Sequence, residues 1–179
     1  MKDLTPTKKL AVVAMLVAQA SVLHFVESLL PNPIPIPGVK LGLANIITLL
    51  ALIVLDFRTA LQITVLRTVL GALLSGTLFG VGFFMSCSGA LSALCLMAVS
   101  LRAMSGLSIT VISILGAIAH NLGQLALAAL ILNFSGIFYY LPVMLLFSIP
   151  TGYITGLLTN ELLKYIKSTQ RLEDLFQDQ

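Results

Sequence analysis

Thr59–Gly80 reads TALQITVLRTVLGALLSGTLFG, and Arg67 is the only ionisable residue in it. If this stretch is a helix in a bilayer, Arg67 lies about 12 Å from its nearer end, at 1.5 Å per residue. A guanidinium at that depth costs at least roughly 3 kcal/mol unless it faces a partner, water or a ligand. Three readings follow. Arg67 is a functional group, or one half of a structural ion pair, or a charge that snorkels to the membrane surface. Depth and isolation favour the first.

The surrounding composition makes the bilayer the right solvent. The chain has 179 residues, of which 58% are hydrophobic and only 9% charged. Its mean hydropathy is +1.05. Soluble domains carry about 25% charged residues. A chain this short and this apolar reads as one all-α polytopic membrane domain. A net charge of +3 is no nucleic-acid footprint. Cys87 and Cys95 fall in one expected helix about 12 Å apart along its axis, too far to bridge. The start, MKDLTPTKK followed by LAVVAMLV and Ala18-Gln19-Ala20, resembles a secretory signal with a cleavage site. The apolar run continues through VLHFVESLL, so an uncleaved first span is expected.

Six spans emerge, at about 10–30, 41–55, 59–80, 83–101, 107–132 and 140–163. The four prolines of PNPIPIPGVK, Pro31–Lys40, end the first. The second is short for a full crossing. Residues 164–179 read as a charged cytoplasmic tail, an interfacial or frayed helix. With six crossings, one side carries Lys2, Lys8, Lys9, Arg58, Arg102, Lys164, Lys167 and Arg171, and the other only Lys40. The positive-inside rule then places both termini in the cytoplasm. The expected location is a bacterial-type plasma membrane.

Small residues mark faces for close packing. Ala11, Ala14, Ala18 and Ser21 recur at three- and four-residue spacing on the first span. In lipid such a stripe admits another helix, either within the bundle or from a separate subunit. Ser148, Gly152 and Gly156 form a similar stripe on the sixth span, with the same two readings. Gly71, Gly76 and Gly80 allow close packing or a bend in the outer half of the third.

Polar residues mark faces for binding. Gly116, His120 and Gln124 share one face of the fifth span, with Asn121 and Gly123 beside them. Thr64, Arg67, Thr68, Gly71 and Ser75 share a face of the third. The simplest arrangement sets these two seams opposite each other around a polar cavity. Nearer the outer surface, His24 and Glu27 close the first span, as part of a site or as head-group anchors, and Lys40 and Asn45 open the second. The proline-rich loop between them is stiff and suited to cover a cavity. Arg67, His120, Asn121, Gln124, Asn45 and Lys40 are therefore the expected substrate-binding residues. Arg67, Lys40 and His120 favour a small anionic solute.

Six spans, cytoplasmic termini, Ala14-x-x-x-Ala18 and a long first outer loop resemble the substrate-binding (S) components of energy-coupling factor transporters. More narrowly, LPNPIPIPGVKLGLANIITLLAL (Leu30–Leu52) and RTVLGALLSGTLFG (Arg67–Gly80) resemble the Gx transporter family. Its members are often labelled heptaprenyl diphosphate synthase component I. The resemblance covers nearly the whole chain, and Pro37–Asn45, PGVKLGLAN, is its most specific part. It implies a vitamin- or cofactor-binding subunit without a cofactor of its own. Ala14 and Ala18 would dock on a transmembrane coupling subunit driven by ATPase subunits, and Pro31–Lys40 would cap an outward pocket.

The synthase label meets a chemical test. Prenyl chain elongation ionises an allylic diphosphate and needs Mg²⁺ held by carboxylates. The chain has Asp3, Asp56, Asp174, Asp178, Glu27, Glu161 and Glu173, and none forms a DDxxD-like cluster. Walker motifs, metal-spaced His/Cys sets and Ser-His-Asp arrangements are also absent. Catalysis by this chain alone is not expected; an accessory membrane role in such a synthase stays open.

Overall fold

Asp56 starts the helix that carries Arg67. Its carboxylate accepts the Thr59 N–H at 2.9 Å and the Thr59 hydroxyl at 2.7 Å. That N-cap satisfies donors the first turn would otherwise leave open. The helix, α3, runs Phe57–Leu74. The computed structural model describes residues 5–29, 42–104 and 106–177, with side chains as far as Thr169. The other helices are α1 (Pro6–Leu29), α2 (Leu43–Val54), α4 (Val81–Ala103), α5 (Ile109–Leu132) and α6 (Leu141–Gln177). A 3-10 turn, Ser135–Tyr140, joins the last two. The described residues hold no strand. Five helical segments are long and apolar enough to cross a membrane; α2 is the shorter apolar exception.

Several boundaries differ from the sequence reading. The third helix stops at Leu74 instead of running to Gly80. Gly76 adopts φ +65°, a left-handed turn conformation that glycine takes without a Cβ clash. The sixth helix continues through the basic stretch to Gln177, so the tail helix expected after 163 is continuous with it.

Side-chain contacts fix the direction of each helix. At one end of the bundle Lys9 of α1 pairs with Asp56 at 3.1 Å, and Arg102 at the end of α4 lies 5.9 Å from the Phe57 ring. At the other end Ser28 of α1 meets Ser75 at 3.1 Å, and Glu27 accepts the Gly42 N–H that precedes α2. Hence α1 and α3 run parallel, with α2 reversed between them. Thr110 and Ser113 of α5 meet Asn160 and Thr155 of α6 at 3.4 and 2.8 Å, so that pair is antiparallel. All six helices alternate. Lys9, Arg58 and Arg102 share one end.

α2 is central. Its 12 residues span about 18 Å, well short of a hydrocarbon core of about 30 Å. It nevertheless touches all five other helices, which are arranged around it in the order α1, α3, α4, α5, α6. Residues Ala44–Ala51 are all buried, which explains their near-continuous hydrophobicity.

The core is divided by polarity along the bundle axis. Toward the Lys9 end, Val17, Ala20, Ile47, Ala51, Leu55, Ala60, Ile63 and Leu94 form a dry cluster. Leu49, Ala93, Met97 and Ile112 form a second. Toward the Glu27 end, those same helices bury His24, Glu27, Asn45, Arg67, Ser86, His120 and Gln124. The sixth-span stripe packs inside the bundle. A Cβ at Gly152 would lie 2.5 Å from Ile114 Cα, and one at Gly156 2.7 Å from Thr110 Cα. Pro150 leaves a carbonyl one turn back without its usual N–H. Hydroxyls of Ser148, Thr151, Thr155 and Thr159 bond carbonyls four residues back and keep this polar helix self-contained.

Candidate functional site

Arg67 sits on the face of α3 turned toward α2. Two contacts set that register. Thr48 and Thr64 hydroxyls meet at 3.3 Å, and one turn farther Arg67 Nη2 donates to Asn45 Oδ1 at 3.0 Å. Arg67 is 2% exposed. Its Nε is buried and has no hydrogen-bond partner among the described residues. A guanidinium offers five donors in a fixed fork, and Nε is one that the described residues leave unfilled.

The acidic counterpart comes from α1. Glu27 is the carboxylate whose charge acts on Arg67. Glu27 is buried and also holds the Gly42 N–H, tying the entry of α2 to the end of α1. His24, one turn before Glu27, lies over Gly71 of α3. A Cβ at Gly71 would sit 2.4 Å from His24 Cδ2. Gly71 thus gives close packing, not a bend. Three helices supply this cluster: α1 through His24 and Glu27, α2 through Asn45, α3 through Arg67.

The polar residues of α5 divide between two neighbours. Asn121 turns to α6, where its Nδ2 donates to Ser148 Oγ at 2.7 Å and to the Met144 carbonyl at 3.2 Å. His120 and Gln124 turn to Gly89 of α4; a Cβ there would lie 2.7 Å from Gln124 Cγ and 3.0 Å from His120 Cε1. Gly116 and Gly123 admit Met97 and Ser92 in the same way. Gln124 is 1% exposed, and its Oε1 has no hydrogen-bond partner among the described residues.

The two seams do not pack directly on each other. Among the described residues α3 and α5 make no contact; α2 and α4 touch both. The reason is packing: small residues on α4 draw α5 close, while the hydroxyl-rich face of α3 is taken by α2. The structure brings Arg67 and Asn45 together, sets His120 and Gln124 on the far side of α4's inner face, and commits Asn121 to α6. Lys40 and the Pro31–Lys40 lid lie outside the described residues. Ala14 and Ala18 are exposed along α1, whereas Ser21 of the same stripe is buried.

Sequence reading passed over Ser86, Gly89 and Ala90, the buried face of α4 that separates the two groups. Their three- and four-residue spacing was a usable signal, but in a uniformly apolar span it did not stand out. Among the described residues no three or more His, Cys, Asp or Glu side chains converge as a metal site would require.

Residues 16–162 match the family model described as heptaprenyl diphosphate synthase component I. No curated protein and no solved structure matches the chain.

Proposed function

The chain belongs to the heptaprenyl diphosphate synthase component I family, and on that premise we propose that it is a solute-binding membrane subunit resembling the S components of energy-coupling factor transporters. In this reading the bundle crosses the membrane six times with both termini cytoplasmic. A small anionic, vitamin- or cofactor-like solute enters from outside and is held beside Arg67 and Asn45, with His120 and Gln124 farther along the same interior and Lys40 at the mouth. Energy comes from ATPase subunits through a transmembrane coupling subunit.

One observation carries the reading. Arg67 is buried in a helix long and apolar enough to cross a membrane, with part of its donor set unfilled. Lipid cannot solvate such a group, and an anionic ligand or water can. The axial division of the core supports the direction of entry. The polar half is the half away from Lys9, Arg58 and Arg102, which the positive-inside rule assigns to the cytoplasm.

A second reading follows from the family's description. The chain would be a non-catalytic membrane component of a prenyl diphosphate synthase, assembled with a separate catalytic subunit.

Partner capture separates the two. Ala14 and Ala18 are exposed on α1, where small side chains allow a helix to approach. Tagged wild-type protein should retain a coupling subunit and ATPases, and a variant with both alanines changed to Leu should lose them while keeping its ligand. Capture of a prenyl synthase subunit instead, by both proteins alike, would establish the second reading.

A further inference from the structure

The first turn of α2 ties α1 to Arg67 through three consecutive hydrogen bonds. Glu27 of α1 accepts the Gly42 N–H. The Gly42 carbonyl accepts the Asn45 N–H at 2.8 Å. Asn45 Oδ1 then accepts Arg67 Nη2 at 3.0 Å. Gly42 holds the turn at φ +74°, in the left-handed region that glycine enters without a Cβ clash. A Cβ there would also lie 3.3 Å from Asn45 Nδ2, so the amide sits against the turn itself. As the N-cap residue Gly42 has no side chain to bond the first turn. Glu27 supplies from α1 the fixing that a capping residue would supply locally. The outer end of α1 is in turn held on α3, where His24 packs on Gly71 and Ser28 Oγ meets Ser75 Oγ at 3.1 Å. Contacts thus run from α1 to α2, from α2 to α3 and from α3 back to α1, and the guanidinium is part of that circuit. One turn deeper the Thr48 and Thr64 hydroxyls, 3.3 Å apart, keep α2 on α3, so loss of the Glu27 bond loosens the first turn alone.

We infer that Glu27 is a positioning residue for the anion site: through the Gly42 turn its carboxylate oxygen holds Asn45, and Asn45 holds the Arg67 guanidinium in the orientation that meets the solute. This rests on the solute-binding role above and gives Glu27 a part that its charge alone does not have. A carboxylate near the site repels an anion, so as a bare charge Glu27 weakens solute binding. As the acceptor of the Gly42 N–H it strengthens binding, because a guanidinium fixed in advance loses less freedom when the ligand arrives. Two neutral replacements separate these opposed effects. Gln keeps an acceptor oxygen and Leu has none, and neither carries the charge.

The test follows the Nε–H signal of Arg67 by nitrogen-edited NMR in the detergent-purified full chain, titrated with propionate. The signal is identified by its loss in Arg67→Lys. Propionate should shift it in the wild type. Glu27→Gln should bind propionate about five- to tenfold more tightly than Glu27→Leu, the worth of one hydrogen bond. With Asn45→Ala added to each, the two variants should bind alike, since the relay is then cut. Gly42→Ala, strained at φ +74°, should bind propionate more weakly than the wild type, and it decides the question should Glu27→Leu fail to fold. Glu27→Leu binding at least as tightly as Glu27→Gln, a difference that survives Asn45→Ala, or wild-type affinity in Gly42→Ala overturns the positioning role while leaving Arg67 as an anion site. A wild-type signal that propionate does not move overturns the anion site, and the role of Glu27 with it.

Discussion

Arg67 of α3 donates to Asn45 of α2 at 3.0 Å, and this bond joins the most buried charge in the core to its most central helix. The two residues come from different spans, and the short turn at Asp56 lets α2 and α3 lie side by side in register. Asn45 neutralises no charge; it orients the guanidinium, whose Nε has no partner among the described residues.

Removing that orientation should be felt in stability. Asn45→Ala leaves Arg67 without its amide acceptor and should destabilise the bundle by about 1–3 kcal/mol. Denaturation in mixed micelles measures it. Asn45→Asp, which keeps an acceptor oxygen, should lose less than Asn45→Ala.

The contact between α1 and α3 at Gly71 is testable by overpacking. Gly71→Ala puts a methyl group where His24 lies and should lower stability by about 1–3 kcal/mol. His24→Ala in the same chain should restore most of that loss. A double-mutant cycle without coupling would place the strain elsewhere.

Asp56 gives a pH dependence outside the membrane-spanning segments. The Thr59 N–H and hydroxyl, with a smaller contribution from Lys9, hold its carboxyl down at about 2 from an ordinary 3.8. A carboxyl depressed in the folded state stabilises it above the unfolded value, and that stability disappears as pH falls through the folded value. Melting temperature should therefore decline between about pH 4 and pH 2. Asp56→Ala should remove this component and cost about 1 kcal/mol at neutral pH through the lost cap.

Charge placement predicts the topology. With Cys87 and Cys95 replaced by Ser, single cysteines at Ser135 and Val81 should react with an impermeant maleimide in intact cells. Cysteines at Lys9 and Lys164 should react only after permeabilisation. The reverse pattern would invert the bundle.

Helix positions were legible because long apolar runs are interrupted by punctuation: the prolines after Leu30 and the polar Asp56-Phe57-Arg58 turn before α3. Arg67 stood out for the same reason, as the one ionisable residue in its span. Which helices touch was not legible. Gly89 and Gly123 look alike as isolated glycines, and only three-dimensional packing reveals that they fix α4 on α5 and thereby keep α3 away from it. Glu27 read equally well as a head-group anchor; its burial beside Gly42 and its pull on Arg67 depend on where α2 begins. Asn121 looked like part of a binding seam because helical spacing gives its face, not the identity of the neighbour on that face.

The central claim is that Arg67 holds an anionic solute inside the bundle. Native mass spectrometry of the detergent-purified chain, wild type beside Arg67→Leu, tests it most directly. The account predicts a copurified small acid on the wild type and its absence from a folded, monodisperse Arg67→Leu protein, since the substitution removes the buried charge together with its ligand contact. The same molecule retained at equal occupancy by Arg67→Leu would contradict it, and an Arg67→Leu protein that cannot fold would instead assign Arg67 to a structural pairing with Glu27.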